Sequence, residues 1–367
     1  MNICSNNSCK KAVGGLFHIK KLCLACKNRF CKKCFFPDPE NPDKYPRKGY
    51  CWECLLKTHP IKDAPPAPPS ESEVNQMKSY IVPIPEDPAQ SFNTIKQLGQ
   101  GTSGKVYKVA NRETGKLFAL KEISLSVCNR ESIIEEFSYS VLTPCPNVVN
   151  CFALYRYRGF YAILLELMDF TLLGFLKNWN ERQENVIAYI IREVTRGISY
   201  IHSNFNIHRD LKSENIFLNQ EGNVKIGDFG LSAQLIKERD YRETFAGSPL
   251  WTAPEILDGK RYVESVDIWS LGVICYECAE GTTPYGESKN MLELKKNIEN
   301  HPNPTISSHW SQQFQQFVIF CLQKDPKERK KAHQLLETEF LMNVDEINAR
   351  RRLVELICAS DLISINA

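Results

Sequence analysis

Three side chains with complementary chemistry lie close together in residues 207–219, which read IHRDLKSENIFLN. They are the carboxylate of Asp210, the ammonium of Lys212 and the amide of Asn215. Phosphoryl transfer uses a carboxylate that accepts the proton of the attacking hydroxyl, a cation that balances charge on the moving phosphoryl, and a carbonyl oxygen that holds Mg²⁺. The stretch therefore indicates a phosphoryl-transfer loop. Because HRD also occurs in ordinary exposed loops, its partner groups must be sought on either side.

A glycine-rich segment precedes this loop. Gly99, Gly101 and Gly104 form a G-x-G-x-x-G pattern between two short predicted strands, FNTIKQL and VYKVA. Such a pattern alone is more typical of a flexible turn. Here Val106 follows the glycines, and Lys121 lies on a third predicted strand, LFALKEI. In this context we expect the glycines to cover nucleotide phosphates and Lys121 to hold two of them.

Further groups follow in the chain. The predicted helix RESIIEEFSYSVL offers Glu131, Glu135 and Glu136 as carboxylates that could orient Lys121. The stretch ENVIAYIIREVTRGISYIHSN has apolar residues at three-and-four spacing, which predicts a buried helix that carries the loop. Beyond the loop, KIGDFG supplies Asp228 as a second expected magnesium ligand.

The glycine loop, the strand lysine, HRD, DFG and APE occur in this order over residues 92–340, and this part of the chain resembles the eukaryotic-type protein kinases. HRDLKSEN and TFAGSPLWTAPE are similar to the sterile group, which includes p21-activated kinases and MAP kinase kinases. The resemblance implies an α+β bilobal fold with a small antiparallel-sheet lobe and a large helical lobe. It also implies ATP and Mg²⁺ as cofactors and a protein substrate.

The resemblance also assigns roles to residues. Counting back from Pro146 as in related kinases selects Glu136 as the partner of Lys121, with Glu135 as the alternative. Lys212 and the GSPLW motif are typical of serine/threonine kinases. A pseudokinase scaffold is the alternative function, and the intact catalytic set argues against it. The expected nucleotide-binding residues are Gly99, Gly101, Gly104, Val106, Ala119, Lys121, Glu136, Glu166, Met168, Asn215 and Asp228.

Regulation is expected at the segment between DFG and APE. Arg209 precedes the catalytic aspartate, and in the kinases that this chain resembles this arginine indicates an activation segment ordered by a phosphate. Thr244, in RETFAGSP, is the matching acceptor, and a phosphothreonine there would accept paired hydrogen bonds from Arg209. Asp267 is expected to brace the loop backbone, and Arg329 to pair with Glu255.

The first sixty residues differ from the rest in charge and cysteine content. They carry twelve Lys or Arg against four Asp or Glu, although the formal net charge of the chain is only +3. Eight of the fifteen cysteines lie here in four pairs. Two pairs can hold one tetrahedral zinc, so the pattern favours two structural zinc sites over a redox or disulfide cluster. The expected ligands are Cys4, Cys9, Cys23, Cys26, Cys31, Cys34, Cys51 and Cys54.

The order of these cysteines, with CLACKNRFCKKC at the centre, resembles the FYVE zinc finger. The resemblance implies a cross-brace, in which the first and third pairs hold one zinc and the second and fourth hold the other. The sequence alone also allows the first pair to join the second or the fourth. FYVE fingers bind phosphatidylinositol 3-phosphate through a basic run with two histidines, whereas the aligned residues here read IKKLCL. This departure argues against stereospecific recognition of that lipid.

Two less specific partners remain for the finger, an anionic or phosphoinositide membrane and another protein. Lysines and arginines of this segment would form a basic face that attracts anionic lipid. Nucleic acid is not expected, because aromatic residues are not interleaved with the basic ones. The basic residues concerned are Lys10, Lys11, Lys20, Lys21, Lys27, Arg29, Lys32 and Lys33.

The chain is expected to contain four segments. They are the zinc finger (1–60), a proline-rich linker that stays extended as a spacer (61–91), the kinase domain (92–340) and a helical tail (341–367). The linker could also serve as an SH3 ligand, but no basic residue flanks its central prolines closely. Reduced thiols and the lack of a signal or membrane-spanning pattern favour a cytoplasmic location, including peripheral attachment to endosomal or other intracellular membranes.

Overall fold

The computed structural model describes residues 67–359, except 80, 102–103, 127, 142–144 and 287, together with the backbone of six short strands in residues 1–66. The chain divides into two compact units, Met1–Ala67 and Pro68–Ala367. The strands of the first unit are β1 (Asn2–Ile3), β2 (Ala12–Val13), β3 (Lys21–Cys23), β4 (Arg29–Phe30), β5 (Phe36–Pro37) and β6 (Lys48–Tyr50). β1 pairs with β2, and the others form a sheet of order β4-β3-β6-β5.

The second unit begins with a helix that the sequence did not predict. Residues 61–91 were expected to form an extended spacer, but Glu71–Ser79 is helix α1 and Pro88–Gln90 is a 3-10 turn. The prediction of an extended linker is therefore wrong for the part of it that the structure describes. The apolar Val74 on α1 is 6% exposed, so this part of the linker packs against the domain.

A five-stranded antiparallel sheet follows, as the α+β prediction requires. Its strands are β7 (Phe92–Gly101), β8 (Gly104–Asn111), β9 (Leu117–Ser124), β10 (Cys151–Tyr157) and β11 (Phe160–Leu165), in the order β10-β11-β9-β8-β7. Successive side chains of a strand point to opposite faces. On β11, Ala162 and Leu164 therefore join one apolar cluster, and Tyr161 and Ile163 join another. The second cluster includes Ile133 of helix α2 (Arg130–Val141).

The rest of the unit is mainly helical. Its helices are α3 (Leu172–Asn178), α4 (Glu184–Ser203), α5 (Pro254–Leu257), α6 (Ser265–Glu280), α7 (Met291–Asn300), α8 (Gln312–Cys321), α9 (Ala332–Leu336), α10 (Glu339–Met342) and α11 (Glu346–Ala359). Short strands lie between them: β12 (Phe170–Thr171), β13 (Asn206–Ile207), β14 (Ile216–Leu218), β15 (Val224–Ile226) and β16 (Ala233–Gln234). The predicted division into a sheet lobe and a helical lobe is confirmed.

Helices α4 and α6 supply much of the core of the helical lobe. Ile187 and Ile190 on α4 and Leu271 and Val273 on α6 are fully buried in one large apolar cluster. The predicted tail helix is present as α11, which buries Leu353 in the same cluster. Among the helices that the structure describes, none is long and apolar enough to cross a membrane.

Candidate active site

One cleft collects all the residues that the sequence predicts to bind the nucleotide. The cleft has a volume of about 470 Å³. Those predicted residues line it together with apolar side chains that the sequence analysis did not single out for nucleotide contact. Examples are Leu98, just before the glycine loop, and Phe217, two residues after Asn215. Their apolar surface suits the flat face of a base.

Lys121 lies at the centre of an ion-pair network in this cleft. It stands on β9 between Val106 of β8 and Ile163 of β11. Its Nζ donates to Glu136 Oε1 at 2.6 Å and to Asp228 Oδ1 at 2.9 Å. The structure therefore places Glu136 of α2, and not Glu135, against the lysine.

This network holds Lys121 in the charged form. Burial alone would lower the pKa of its ammonium, but the ion pairs with Glu136 and Asp228 outweigh burial and raise that pKa above its usual value. For Asp228 too, burial opposes the charged form, yet the adjacent Lys121 lowers the pKa of its carboxyl. A fixed cation is therefore present where a nucleotide phosphate would need one.

The catalytic loop brings Asp210, Lys212 and Asn215 together. Lys212 Nζ lies 3.0 Å from Asp210 Oδ2, and Asn215 Nδ2 donates to Asp210 O at 2.8 Å and to Oδ2 at 3.1 Å. Ser248, which was predicted only as part of the GSPLW motif, joins this cluster. Its Oγ donates to Asp210 Oδ1 at 2.8 Å and accepts from Lys212 Nζ at 2.6 Å.

The backbone of the loop is held in a strained conformation by a buried carboxylate. Arg209 has a φ of 67°, in a left-handed region that is costly for a residue with a side chain. Asp267 on α6 compensates, because its Oδ1 accepts from Arg209 N at 2.9 Å and its Oδ2 accepts from His208 N at 2.8 Å. The predicted bracing role of Asp267 is confirmed. The predicted pair of Arg329 and Glu255 is also present, with contacts of 2.6 and 2.8 Å.

The hairpin of β14 and β15 brings the two expected magnesium ligands to one end. Ile216 pairs with Ile226, so Asn215 and Asp228 lie just beyond the paired residues, and Gly227 N donates to Asn215 O at 3.0 Å. The Asn215 amide uses its nitrogen for Asp210, which leaves its oxygen as the atom that can meet a cation. An amide oxygen and a carboxylate are hard donors that suit Mg²⁺. The residues present therefore fit this ion.

Arg209 reaches the predicted regulatory threonine. Its Nη1 donates to Thr244 Oγ1 at 3.0 Å, and its Nη2 donates to Ser232 O at 3.2 Å. Thr244 is exposed, so a modifying enzyme could reach its hydroxyl. The guanidinium of Arg209 and the hydroxyl of Thr244 are thus in direct contact.

Glu166, in the link between the lobes, turns its side chain to a neighbouring network. Its Oε2 accepts from Asn150 Nδ2 at 2.6 Å and from Lys225 Nζ at 2.8 Å. The link is thereby tied to β15, the strand that leads to Asp228. Backbone atoms of the link are then the groups that an adenine edge would meet.

The eight cysteines expected to bind zinc lie in residues 1–66, where side chains are outside the described part of the chain. Within the described residues, no cluster of three or more His, Cys, Asp or Glu side chains could hold a metal ion. The zinc sites and the basic face therefore stay predictions.

A sheet lobe, a helical lobe and a cleft with this lysine, loop and acidic pair define a phosphotransferase of the protein kinase class. The protein kinase domain family model matches residues 92–341, and the chain belongs to this family.

Curated relatives narrow the class. The chain is 36% identical over 265 residues to mitogen-activated protein kinase kinase 2 of Arabidopsis thaliana, covering 69% of this chain and 73% of the relative. It is 38% identical over 263 residues to serine/threonine-protein kinase 1 of the same plant and 38% over 289 residues to serine/threonine-protein kinase dst1 of Dictyostelium discoideum. These matches cover 70% and 77% of this chain but only 31% and 39% of those relatives. The two relatives that are named as serine/threonine-protein kinases are thus matched over less than half of their length.

Proposed function

We propose that this chain is an active serine/threonine protein kinase that transfers the γ-phosphoryl group of ATP to serine or threonine hydroxyls of proteins in a signalling cascade. The observation that carries the proposal is the cluster of Asp210, Lys212 and Ser248 together with the Lys121–Glu136 pair in one domain. The names of the relatives, which include a mitogen-activated protein kinase kinase, support the signalling role.

The residues of the chain divide the reaction among them. The Asp210 carboxylate orients the acceptor hydroxyl and accepts its proton, while Lys212 balances negative charge on the phosphoryl group. Lys121, aimed by Glu136, holds the nucleotide phosphates. Asn215 and Asp228 would hold Mg²⁺, which supplies positive charge to the phosphates when it is bound.

The activity is tested by transfer of phosphate from ATP and Mg²⁺ to a generic basic protein, with the full chain and with Asp210→Asn. We expect the wild type to transfer phosphate and the variant to lose at least about a hundredfold in rate, because its amide cannot accept the proton. Equal rates would favour a scaffold without catalytic activity, whose main role is binding through its N-terminal segment.

We also propose that phosphorylation of Thr244 activates the kinase. The contact of the Arg209 guanidinium with the Thr244 hydroxyl supports this, since the same guanidinium could bind a phosphate there with charge-assisted hydrogen bonds. Treatment with a protein phosphatase should lower the activity of the wild type and leave Thr244→Ala unchanged. Equal sensitivity of both proteins would refute this switch.

The N-terminal segment is proposed to be a FYVE-like finger with two structural zincs that brings the kinase to an anionic membrane or a protein partner in the cytoplasm. The cysteine pairs and the excess of basic residues support this proposal. Sedimentation with vesicles that contain phosphatidylserine, with and without phosphatidylinositol 3-phosphate, tests it. Binding that needs phosphatidylserine alone would support the nonspecific membrane role, whereas no binding to either vesicle would leave the protein-binding role.

A further inference from the structure

The segment that precedes the sheet lobe has a helix specified by its own sequence. In helix α1, Ser70 N donates to Glu73 Oε2 at 2.7 Å, and Glu73 N donates to Ser70 Oγ at 3.3 Å. This reciprocal pair is a capping box, which fixes where a helix begins. The burial of Val74 then seats one side of the helix on the domain. We call residues 68–79 and 81–84 the strap.

The C-terminal part of the strap lies on the sheet lobe. Ile84 N donates to Leu154 O at 2.8 Å, and Arg156 N donates to Ile84 O at 2.9 Å, so the strap pairs with β10, an edge strand of the sheet. Ile81 packs on the apolar cluster that contains Ile133 of α2. The strap is therefore anchored to the rigid sheet as well as to the helix that bears Glu136.

The middle of the strap makes a direct ionic contact with α2. Lys78 Nζ lies 2.5 Å from Glu135 Oε1, and both side chains are only partly exposed. Glu135 is the residue next to Glu136, which pairs with Lys121. Neighbouring residues on a helix point about 100° apart, so a contact that fixes Glu135 also restrains the rotation that aims Glu136.

The N-terminal part of the strap reaches the activation segment. Lys237 N donates to Pro69 O at 3.0 Å, and Glu71 N donates to Glu238 Oε2 at 2.9 Å. Lys237 and Glu238 lie between Asp228 and Thr244 in the chain. One short segment thus contacts both the helix that carries Glu136 and the segment that carries Thr244.

We propose that the strap positions α2 for phosphoryl transfer and that Lys78 is a positioning residue that acts through Glu135. This inference rests on the proposed kinase activity. Lys78 lies outside the described lining of the nucleotide cleft, and its effect is to keep Glu136 directed at Lys121. Loss of the contact should therefore weaken the productive binding of ATP more than it weakens the fold.

The test uses the full chain and a charge-reversal cycle. Lys78→Glu and Glu135→Lys each place like charges together, and the double variant restores an opposite pair. Lys295→Glu is the matched control, because it breaks an ion pair with Asp258 of 2.7 Å that involves neither the strap nor α2. The measurements are kcat and KM for ATP, with thermal unfolding of each protein.

We expect each single variant to lower kcat/KM for ATP by about three- to tenfold, with the larger share in KM, and the double variant to regain most of the loss. Lys295→Glu should keep the wild-type value, and unfolding temperatures should change little. If Lys78→Glu proves unfolded, Lys78→Met replaces it, because its apolar chain keeps most of the packing of the lysine stem.

The proposed role of the strap would be overturned if the single variants had wild-type kinetics. It would also be overturned if kcat/KM of the double variant were no higher than that of either single variant. An equal loss of activity in the strap variants and in the control Lys295→Glu would also overturn the proposed role of the strap. Failure of the kinase proposal would look different, since the wild type and Asp210→Asn would then give the same rate.

Discussion

Lys121 contacts two carboxylates that belong to two different elements, and the closer carboxylate is that of Glu136 on helix α2. Glu136 approaches to 2.6 Å from α2, whereas Asp228 approaches to 2.9 Å from the end of β15. The Lys121 side chain is 9% exposed and that of Glu136 is 14% exposed, so water screens their attraction weakly. The direction of the lysine therefore depends on the position of α2.

Replacement of Glu136 should reveal this dependence. Glu136→Gln keeps the size of the side chain but removes its charge, and we expect kcat/KM for ATP to fall by about a hundredfold because Lys121 loses its alignment. Glu131→Gln, on an exposed turn of the same helix, should stay within about twofold of the wild type. Steady-state kinetics of the wild type and the two variants measure this difference. An equal effect of both substitutions would contradict the assignment of Glu136 as the partner of Lys121.

Residues that belong to a local motif could be predicted from the sequence. Contacts between motifs that lie far apart in the chain could be predicted only in part. Asp210, Lys212 and Asn215 were found from their spacing in one loop. Ser248 was not assigned to the site, because nothing local shows that a hydroxyl far along the chain donates to Asp210. Glu166 was predicted among the nucleotide-binding residues, but nothing local shows that its side chain turns to Lys225.

At the scale of elements, α6 is joined to the catalytic loop and to the segment before APE by a second buried carboxylate. Glu277 Oε1 accepts from Ser213 Oγ at 3.2 Å, and its Oε2 accepts from Trp251 Nε1 at 2.8 Å. Burial outweighs these hydrogen bonds and raises the pKa of the Glu277 carboxyl to about 7. The carboxyl is therefore partly protonated near neutral pH.

This raised pKa predicts a pH dependence of stability. A carboxyl whose pKa is higher in the folded than in the unfolded state stabilises the fold fully below its unfolded pKa of 4.5, and the contribution is lost as pH rises through about 7. Between pH 6 and 8.5, Glu277 should cost the wild type roughly 1 kcal/mol of unfolding free energy. Glu277→Gln should lack this loss, whereas the surface variant Glu299→Gln should keep it.

Denaturant unfolding at the two pH values measures this difference. Parallel pH profiles for the wild type and Glu277→Gln would show that the carboxyl does not titrate in this range.

The elements themselves were predicted with unequal success. Helix α4 follows from its apolar spacing, and its buried face includes Ile187 and Ile190 as expected. Helix α1 was missed because prolines dominate its surroundings, although Ser70 and Glu73 carry a capping-box pattern. Its ion pair with α2, between Lys78 and Glu135, contributes stability that local composition does not reveal.

At the scale of the whole molecule, the charge and the cysteines separate residues 1–60 from the kinase domain. If two zincs hold the first unit together, their removal should unfold that unit and spare the other. Metal analysis of the full chain should give about two zincs per chain. A strong chelator, removed before Mg²⁺ is supplied again for the kinase assay, should then abolish vesicle binding but leave most of the kinase activity. Chains purified without zinc that still bind vesicles would contradict this prediction.

We propose that the cleft phosphorylates serine or threonine, and the choice of acceptor residue tests this proposal most directly. The measurement is transfer of labelled γ-phosphate to one basic peptide made with Ser, Thr or Tyr at the acceptor position, using the full chain and Asp210→Asn. We expect label on the Ser and Thr peptides only, and at least about a hundredfold less with the variant. Label on the Tyr peptide alone, or equal labelling by both proteins, would contradict it.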